Sequence, residues 1–313
     1  VALQNLYGHR IDTLSSGQSK RLLIARALLC EPSILLFDNP YSGLDPAGYR
    51  IVEQLVSNSQ ITGRIILAAF KDAGGLDDVE AISIAGQQHG MVALDSDGEV
   101  IRPALLWNDT RSAKEADDLN REVGGDPVIA RKVGSKLVAS FTASKVRWMA
   151  DHEPQNASRV ASIALPHDWL SWQLQGGKDL TKLFTDRSDA SGTGYFDPST
   201  SHYRDEIVRL ALRHDQNFTL PRIIEPSQFG GTTLAGIPIA AGAGDNAGAA
   251  LGIQAQPGDV IVSLGTSGTA FAVSETPTHD PSGEVAGFAD ATGRYLPLVC
   301  TLNAARILDA ACR

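Results

Sequence analysis

A chain of 313 residues, 43% apolar and 20% charged, has the length for about two domains with buried cores. Its 36 acids against 27 Lys plus Arg give a formal net charge of -9, which disfavours duplex DNA and anionic membrane surfaces as partners and leaves any phosphate to local groups. Three scattered cysteines, Cys30, Cys300 and Cys312, show neither metal-ligand spacing nor a disulfide framework and fit a reducing cytoplasm. No apolar run suits a bilayer span, no basic leader precedes one, and both ends read as cut from a longer sequence.

In chain order, residues 13–30 predict a loop feeding an amphipathic helix that Glu31-Pro32 ends. S-I-L-L-F-D, 33–38, predicts a buried strand closed by an aspartate, followed by a helix near 47–57 and a short strand over 63–70. A second run opens near Gly74-Gly75, with a strand over 79–87 and a hairpin built from 91–95 and E-V-I-R-P. Helices are expected over 112–123 and 141–151, and a strand edge plus a helix over 160–176. A looser stretch covers 178–204, a helix 204–213, and a proline-bounded linker 221–238. After Pro238 comes I-A-A-G-A-G-D, then a small-residue helix over 246–252 and two strands flanking a glycine-threonine turn.

The chemistry-bearing residues cluster at the ends of these strands. Asp245 stands between a strand and a helix of alanines and glycines, where ligands approach α/β sheets and small neighbours permit close contact. Its carboxylate is either the cap of that helix or a base for a substrate hydroxyl. S-L-G-T-S-G-T, 263–269, packs two glycines and hydroxyls into one turn that is either a plain hairpin or a phosphate cradle. Gln88 and His89, and then Trp107, Asn108 and Asp109, follow apolar strands. Together they can hydrogen-bond the hydroxyls of a polyol while Trp107 covers its C–H face. A structural hydrogen-bonding role for His89 and an Arg111–Asp109 pair are the plain alternatives. No protein metal site is visible; Mg²⁺ would come with nucleotide phosphates.

Five ordered segments carry a resemblance: S-I-A-G-Q-Q-H-G-M-V-A-L-D, P-A-L-L-W-N-D-T-R, T-D-R-S-D-A-S-G-T-G-Y-F-D, A-G-A-G-D-N-A-G-A-A-L-G and S-L-G-T-S-G-T. From about Leu76 to Ala311 the chain resembles the FGGY carbohydrate kinases, most closely those acting on xylulose. The resemblance implies an α/β, actin-like (ribonuclease H-like) kinase whose two lobes close over Mg²⁺-ATP and a ketose. Asp245 matches the base that deprotonates the sugar hydroxyl, and Gln88 and His89 the sugar-contacting pair, with Trp107, Asn108, Asp109 and Asn246 at the sugar site. Gly265, Thr266, Ser267, Gly268 and Thr269 match a phosphate-binding turn. The implied partners are a small sugar and ATP, with no nucleic acid and no membrane insertion, and a homodimer is an allowed assembly.

Residues 1–72 do not resemble that family. L-S-S-G-Q-S-K-R-L-L-I-A-R-A-L and I-L-L-F-D-N-P-Y-S-G-L-D are similar to an ABC-transporter ATPase from its signature loop onward, with Asp38 as the magnesium aspartate. Asn39 stands where the catalytic glutamate is expected, and Phe70 where a histidine is expected. The expected organisation is therefore an ABC-like α/β fragment over 1–72, a sugar-binding N-lobe over 73–238, and an incomplete nucleotide-binding lobe over 239–313. Three functions remain open: a xylulokinase-type enzyme, an ABC-type ATP-binding subunit, and a catalytically inactive sugar binder.

Overall fold

The structure, a computed structural model, describes residues 79–214, 217–264, 268–301 and 304, and the backbone of 34–38 and 65–69. The helices expected over 13–30 and 47–57, with Asn39 and Phe70, lie outside these residues. The chain divides into two compact units, Val1–Asp78 and Val79–Arg313. In the first, β1 (Ile34–Asp38) and β2 (Ile65–Ala69) pair in parallel, Ile34 opposite Ile65 and Asp38 opposite Ala69.

The second unit opens with β3 (Ala85–Gly86) and β4 (Val92–Leu94). Sequence pattern suggested one strand over 79–87, but only two residues form a regular ladder, preceded by a single bridge from Ile82 to Ile239. Helices α1 (Ala113–Val123), α2 (Asp126–Val133), α3 (Thr142–His152) and α4 (Pro154–Ala157) follow. Helix α2 lies between the helices expected over 112–123 and 141–151, in a stretch for which the sequence pattern gave no element. Proline is tolerated in a first helical turn, where its missing N–H has no partner to lose, and here it starts the helix.

Next come β5 (Ser162–Ala164), α5 (Pro166–Leu174), β6 (Phe184–Asp186) and α6 (Arg187–Ala190). They lead to β7 (Phe196–Asp197), β8 (His202–Tyr203) and α7 (Asp205–Leu212). The 221–238 stretch, expected as a linker, instead supplies β9 (Arg222–Ile224), which runs parallel to β6, and β10 (Phe229–Thr232), which pairs with β11 (Pro238–Ala240). Its prolines sit outside the ladders or, like Pro238, at a strand's first position, where no N–H is required.

Two segments set up the site. β12 (Ala243–Gly244) runs parallel to β3, with Ala243 opposite Ala85 and Gly244 opposite Gly86, so both strands end at the same level. Helix α8 (Asp245–Gly252) leaves β12 directly. Parallel strands that finish together leave a crevice beyond their carboxyl ends, the usual ligand position in α/β folds. β13 (Val260–Leu264), β14 (Gly268–Ala272), β15 (Ala286–Ala289) and β16 (Tyr295–Thr301) then form an antiparallel sheet in the order β13-β14-β16-β15.

One hydrophobic cluster joins helices and sheet. Leu119, Ile129, Val146 and Met149 share it with Ala247 of α8 and with Phe271, Phe288 and Leu298 of the antiparallel sheet. The outer strand is different: Val260, Val262 and Leu264 are 68%, 61% and 68% exposed, so one face of β13 is apolar and uncovered. Among the described residues no helix is long and apolar enough to cross a membrane.

Candidate active site

Beyond the ends of β3 and β12 lies a cavity of about 260 Å³, lined by Gln88, His89, Trp107, Asp245, Asn246 and Thr269, among others. It is on the scale of a small polar ligand. These residues come from four separate stretches of chain, and the β3–β12 register brings the two central ones together. Asn108 and Asp109 do not line it. Asp109 accepts hydrogen bonds from the backbone and side chain of Arg111, whose guanidinium lies 4.9 Å from the Trp148 ring. Gly265, Thr266 and Ser267 lie outside the described residues. Gly268 begins β14, and the Thr269 hydroxyl lies 3.3 Å from Asn246 Oδ1, so this strand entry stands beside the start of α8.

Asp245 is the first residue of α8, and Gly244 is its cap. The hydrogen bonds that the Asp245 side chain accepts, from Asn246 N at 2.9 Å and Asn246 Nδ2 at 3.1 Å, both fall on Oδ1. Among the described residues Oδ2 accepts no hydrogen bond from another residue. The carboxyl reaches the surface, yet crowding by protein atoms pushes its pKa up, against the Asn246 N–H that pulls it down. A carboxylate raised in this way is a stronger base than a free one.

Gln88 is buried and reaches across to the Ser188 carbonyl, 2.6 Å from its Nε2. A Cβ at Gly244 would fall 2.7 Å from Gln88 Cγ, so only glycine lets the two strand ends approach this closely. His89 is held in the left-handed region, φ 71°, a conformation that costs a non-glycine residue energy and is retained where the surroundings impose it. Thr142 Oγ1 donates to its carbonyl at 3.2 Å, and its ring lies 4.8 Å from Phe141 and 5.8 Å from Phe288. His89 Nδ1 is 2.6 Å from the Gly192 carbonyl. A carbonyl only accepts, so Nδ1 carries the hydrogen, and in the neutral ring Nε2 is the acceptor.

Burial lowers the His89 pKa to about 4, reinforced by Lys145 and opposed by the Gly192 carbonyl. The ring is therefore neutral at physiological pH. Between 6.5, the ordinary value, and about 4, the unfolded chain takes up a proton that folded His89 refuses, so stability falls as the pH drops through that window. The expected loss between about pH 7.5 and 4.5 is about 2–3 kcal/mol. Denaturant titrations of the wild type and His89→Gln at both values check it: the variant's extra tolerance of acid should equal this amount, and parallel pH curves would refute it.

Sequence reasoning passed over several groups around this cavity. Lys145 is fully buried; burial lowers its pKa to about 7, with Asp109 opposing the shift, and its ammonium donates to the Ala139 and Ser140 carbonyls. Lys145 acts on His89 without lining the cavity, whereas Ser263, Phe288 and Cys300 do line it. The Cys300 thiol is pushed up by partial burial and by the Asp245 carboxylate. Only the T-D-R-S-D-A-S-G-T run, singled out as a segment without a role, pointed towards Ser188 and Gly192. A second cavity of about 280 Å³ lies against Ala247, Ala250 and Leu251 of α8. Its Asp290 is spent on the backbone of its own turn, accepting from Thr292 N and Arg294 N.

Residues 60–252 match the FGGY family of carbohydrate kinases, N-terminal domain, and residues 1–42 match the ABC transporter family. The chain is 48% identical over 241 residues to a xylulose kinase of Streptomyces coelicolor, covering 74% of this chain and 48% of that protein. To the xylulose kinase of Escherichia coli it is 35% identical over 259 residues, covering 79% of this chain and 51% of that protein. The crystal structure of xylulose kinase from Bifidobacterium adolescentis superposes with a TM-score of 0.72 at 45% identity, covering 76% of this chain and 56% of that one. The chain thus spans about half the length of the curated relatives it matches. With a family match over most of its length and a cavity formed by the very segments that carry the resemblance, the chain belongs to the FGGY family of carbohydrate kinases.

Proposed function

We propose that the chain is a sugar kinase of the xylulokinase type, transferring the γ-phosphoryl group of ATP to the terminal hydroxyl of D-xylulose to give D-xylulose 5-phosphate and ADP. The observation that carries this reading is the convergence of Asp245, Gln88, His89, Trp107 and Asn246 on one cavity at the ends of two parallel strands. Asp245 Oδ2 takes the proton of the attacking hydroxyl, and its raised pKa suits it to hold that proton. His89 Nε2 accepts from a second hydroxyl, Asn246 and Gln88 supply amides, and Trp107, 37% exposed, offers its face to the C–H side of the sugar. Mg²⁺-ATP, when bound, supplies the transferred group. Gly268 and Thr269 beside Asn246, with the 265–267 turn, would hold its phosphates. Support comes from the Thr269–Asn246 contact, which sets this strand entry next to Asp245.

The finer architecture belongs to the same reading: an actin-like, ribonuclease H-like kinase with its sugar-binding lobe over 73–238 and the start of a nucleotide-binding lobe over 239–313, acting in the cytoplasm. The test is isothermal titration of D-xylulose into the full chain, with and without Mg²⁺-ATP. Saturable binding, strengthened by nucleotide and lost on Asn246→Leu, is the expected result. A folded, monodisperse sample giving no heat with the sugar would reject the reading. A nucleotide signal indifferent to sugar and lost in Asp38→Ala would assign ATP binding to the ABC-like segment instead.

A further inference from the structure

The interior of the same unit holds a charge cluster that the chemistry above does not use. His167, in the first turn of α5, is 2% exposed and faces three carboxylates. Its Nε2 donates to Asp186 Oδ2 at 2.9 Å. Its Nδ1 lies 2.7 Å from Asp189 Oδ2 and 2.9 Å from Asp168 Oδ1, too oblique to hydrogen-bond to either. Burial alone would lower the imidazole's pKa; Asp189 and Asp168 outweigh it and hold it well above the ordinary value. Burial also pushes the Asp189 carboxyl up. A buried group of this kind persists only when its charges are paired.

Its surroundings connect the cluster to the site. A Cβ at Gly242 would lie 2.5 Å from His167 Cδ2, and one at Gly86 3.1 Å from His167 Cβ. The ring thus packs against the backbone of β3 and the entry to β12, the two strands that deliver Gln88, His89 and Asp245. Asp168 is anchored in turn, its Oδ2 accepting the Leu165 N–H at 2.8 Å. Asp186 caps α6, and its Oδ1 accepts both the backbone N–H of Ser188, at 2.7 Å, and the Ser188 hydroxyl. Having donated its hydrogen to Asp186, Ser188 Oγ accepts the N–H of Gly244 at 3.0 Å. The Ser188 carbonyl accepts from Gln88. Gln88 of the proposed sugar site and the amide of Gly244, the residue before Asp245, are therefore fixed through one serine, and that serine is fixed by a carboxylate paired to His167.

We propose that His167 is a positioning residue for the sugar site: a buried imidazolium that holds Asp186 so that Ser188 clamps Gln88 and the Gly244 amide, setting the carboxylate of Asp245 against the substrate. The inference rests on reading the cavity as a sugar site. A neutral ring would leave Asp168, Asp186 and Asp189 as mutually repelling neighbours, and Asp186 would turn away from Ser188.

Nitrogen-15 spectra of histidine-labelled full chain test the charge directly. Both His167 ring nitrogens should remain protonated at about pH 8, beyond the ordinary range of histidine, with and without a chelator. A neutral ring, or resonances that move when the chelator is added, would overturn the proposal, the latter in favour of a bound metal. Ser188→Ala tests the positioning while keeping His167 and all three carboxylates, with Asp186 still accepting the backbone N–H of residue 188. Amide hydrogen exchange over 241–252 should accelerate about tenfold and the D-xylulose Kd should rise about tenfold, the weight of one buried hydrogen bond. Wild-type exchange and affinity in that variant would overturn the proposal. His167→Lys, which keeps the cation, should stay within about threefold of wild-type affinity, while His167→Gln should lose about tenfold. Equal affinities for the two would reject the role of the charge, and if His167→Gln does not fold, the Ser188→Ala arm still decides. A wild-type chain that does not bind D-xylulose sinks the sugar reading, while the ring signals and the exchange rates still answer for His167.

Discussion

Asp245→Asn is expected to lower sugar-dependent ADP formation by about 10²–10⁴-fold, the usual weight of a positioned general base, while the D-xylulose Kd stays within about threefold. The amide keeps the shape of the carboxylate and can still meet a hydroxyl, but it cannot take the proton. Comparing turnover with titration calorimetry on the same preparations separates the two effects. Equal losses in binding and turnover would make Asp245 a binding residue only. Acid adds a second signature. Because the carboxyl's pKa is raised by its crowded surroundings, turnover in the wild type should begin to fall, as the pH is lowered, above the range of an ordinary aspartate. The sign for stability is opposite to that of a salt-bridged acid: a raised pKa means that the ionised form opposes folding at neutral pH. The melting temperature of Asp245→Asn at pH 7 should therefore equal or exceed the wild type's, and a lower one would contradict the assignment.

The largest expected effect on stability lies well away from that cavity. Arg147, on α3, has a fully buried side chain that binds Glu122 of α1 through Nη1 at 3.0 Å and Nη2 at 2.5 Å. It also donates to Asp151 at 3.1 Å and to the Leu210 carbonyl of α7 at 3.0 Å. One guanidinium thus ties three helices, and its planar fork makes it irreplaceable by lysine at this position. Arg147→Met should destabilise the unit by about 3 kcal/mol, at the lower end for a broken buried pair because Glu122, 38% exposed, can rehydrate. Thermal unfolding should shift down by roughly 6–12 °C, with Arg147→Lys in between. Sugar affinity of the folded variant should be unchanged, since Arg147 is not a cavity residue. A shift of less than about 2 °C would show the contacts to be surface-like in strength.

How much of this could be read from the sequence depends on where each residue's partners lie. Gln88, His89, Asp245 and Asn246 stand out locally because they lie just past strand ends among glycines and small residues, and Trp107 because it opens a polar run after an apolar stretch. Helix α3 was legible from its periodicity. The parallel pairing of β3 with β12, which gives the local patterns a common cavity, joins residues that neither pattern connects. His167 was read only as part of a helix, and nothing near Pro166 announces that Asp186 and Asp189 will surround it. Lys145 likewise becomes unusual only through burial. Asp109 shows the converse: as one of a run of polar residues it suggested a sugar contact, whereas in the fold Arg111, two residues on, engages it. The resemblance supplied the family; the left-handed backbone of His89, and with it the tautomer of the ring, came only from the structure.

The bare outer face of β13 has a practical side. Among the described residues this edge strand carries Val260, Val262 and Leu264 towards water and has no strand partner on its outer side, and apolar surface joined to free backbone groups is the combination from which chains recruit one another into aggregates. These three side chains work against the global charge of -9, which keeps molecules apart. The apparent mass from light scattering should rise with protein concentration even where folding is complete, and Val262→Lys should lower that rise without touching the cavity. An outer strand of this kind limits how concentrated a preparation can be, and so which binding constants can be measured with it at all.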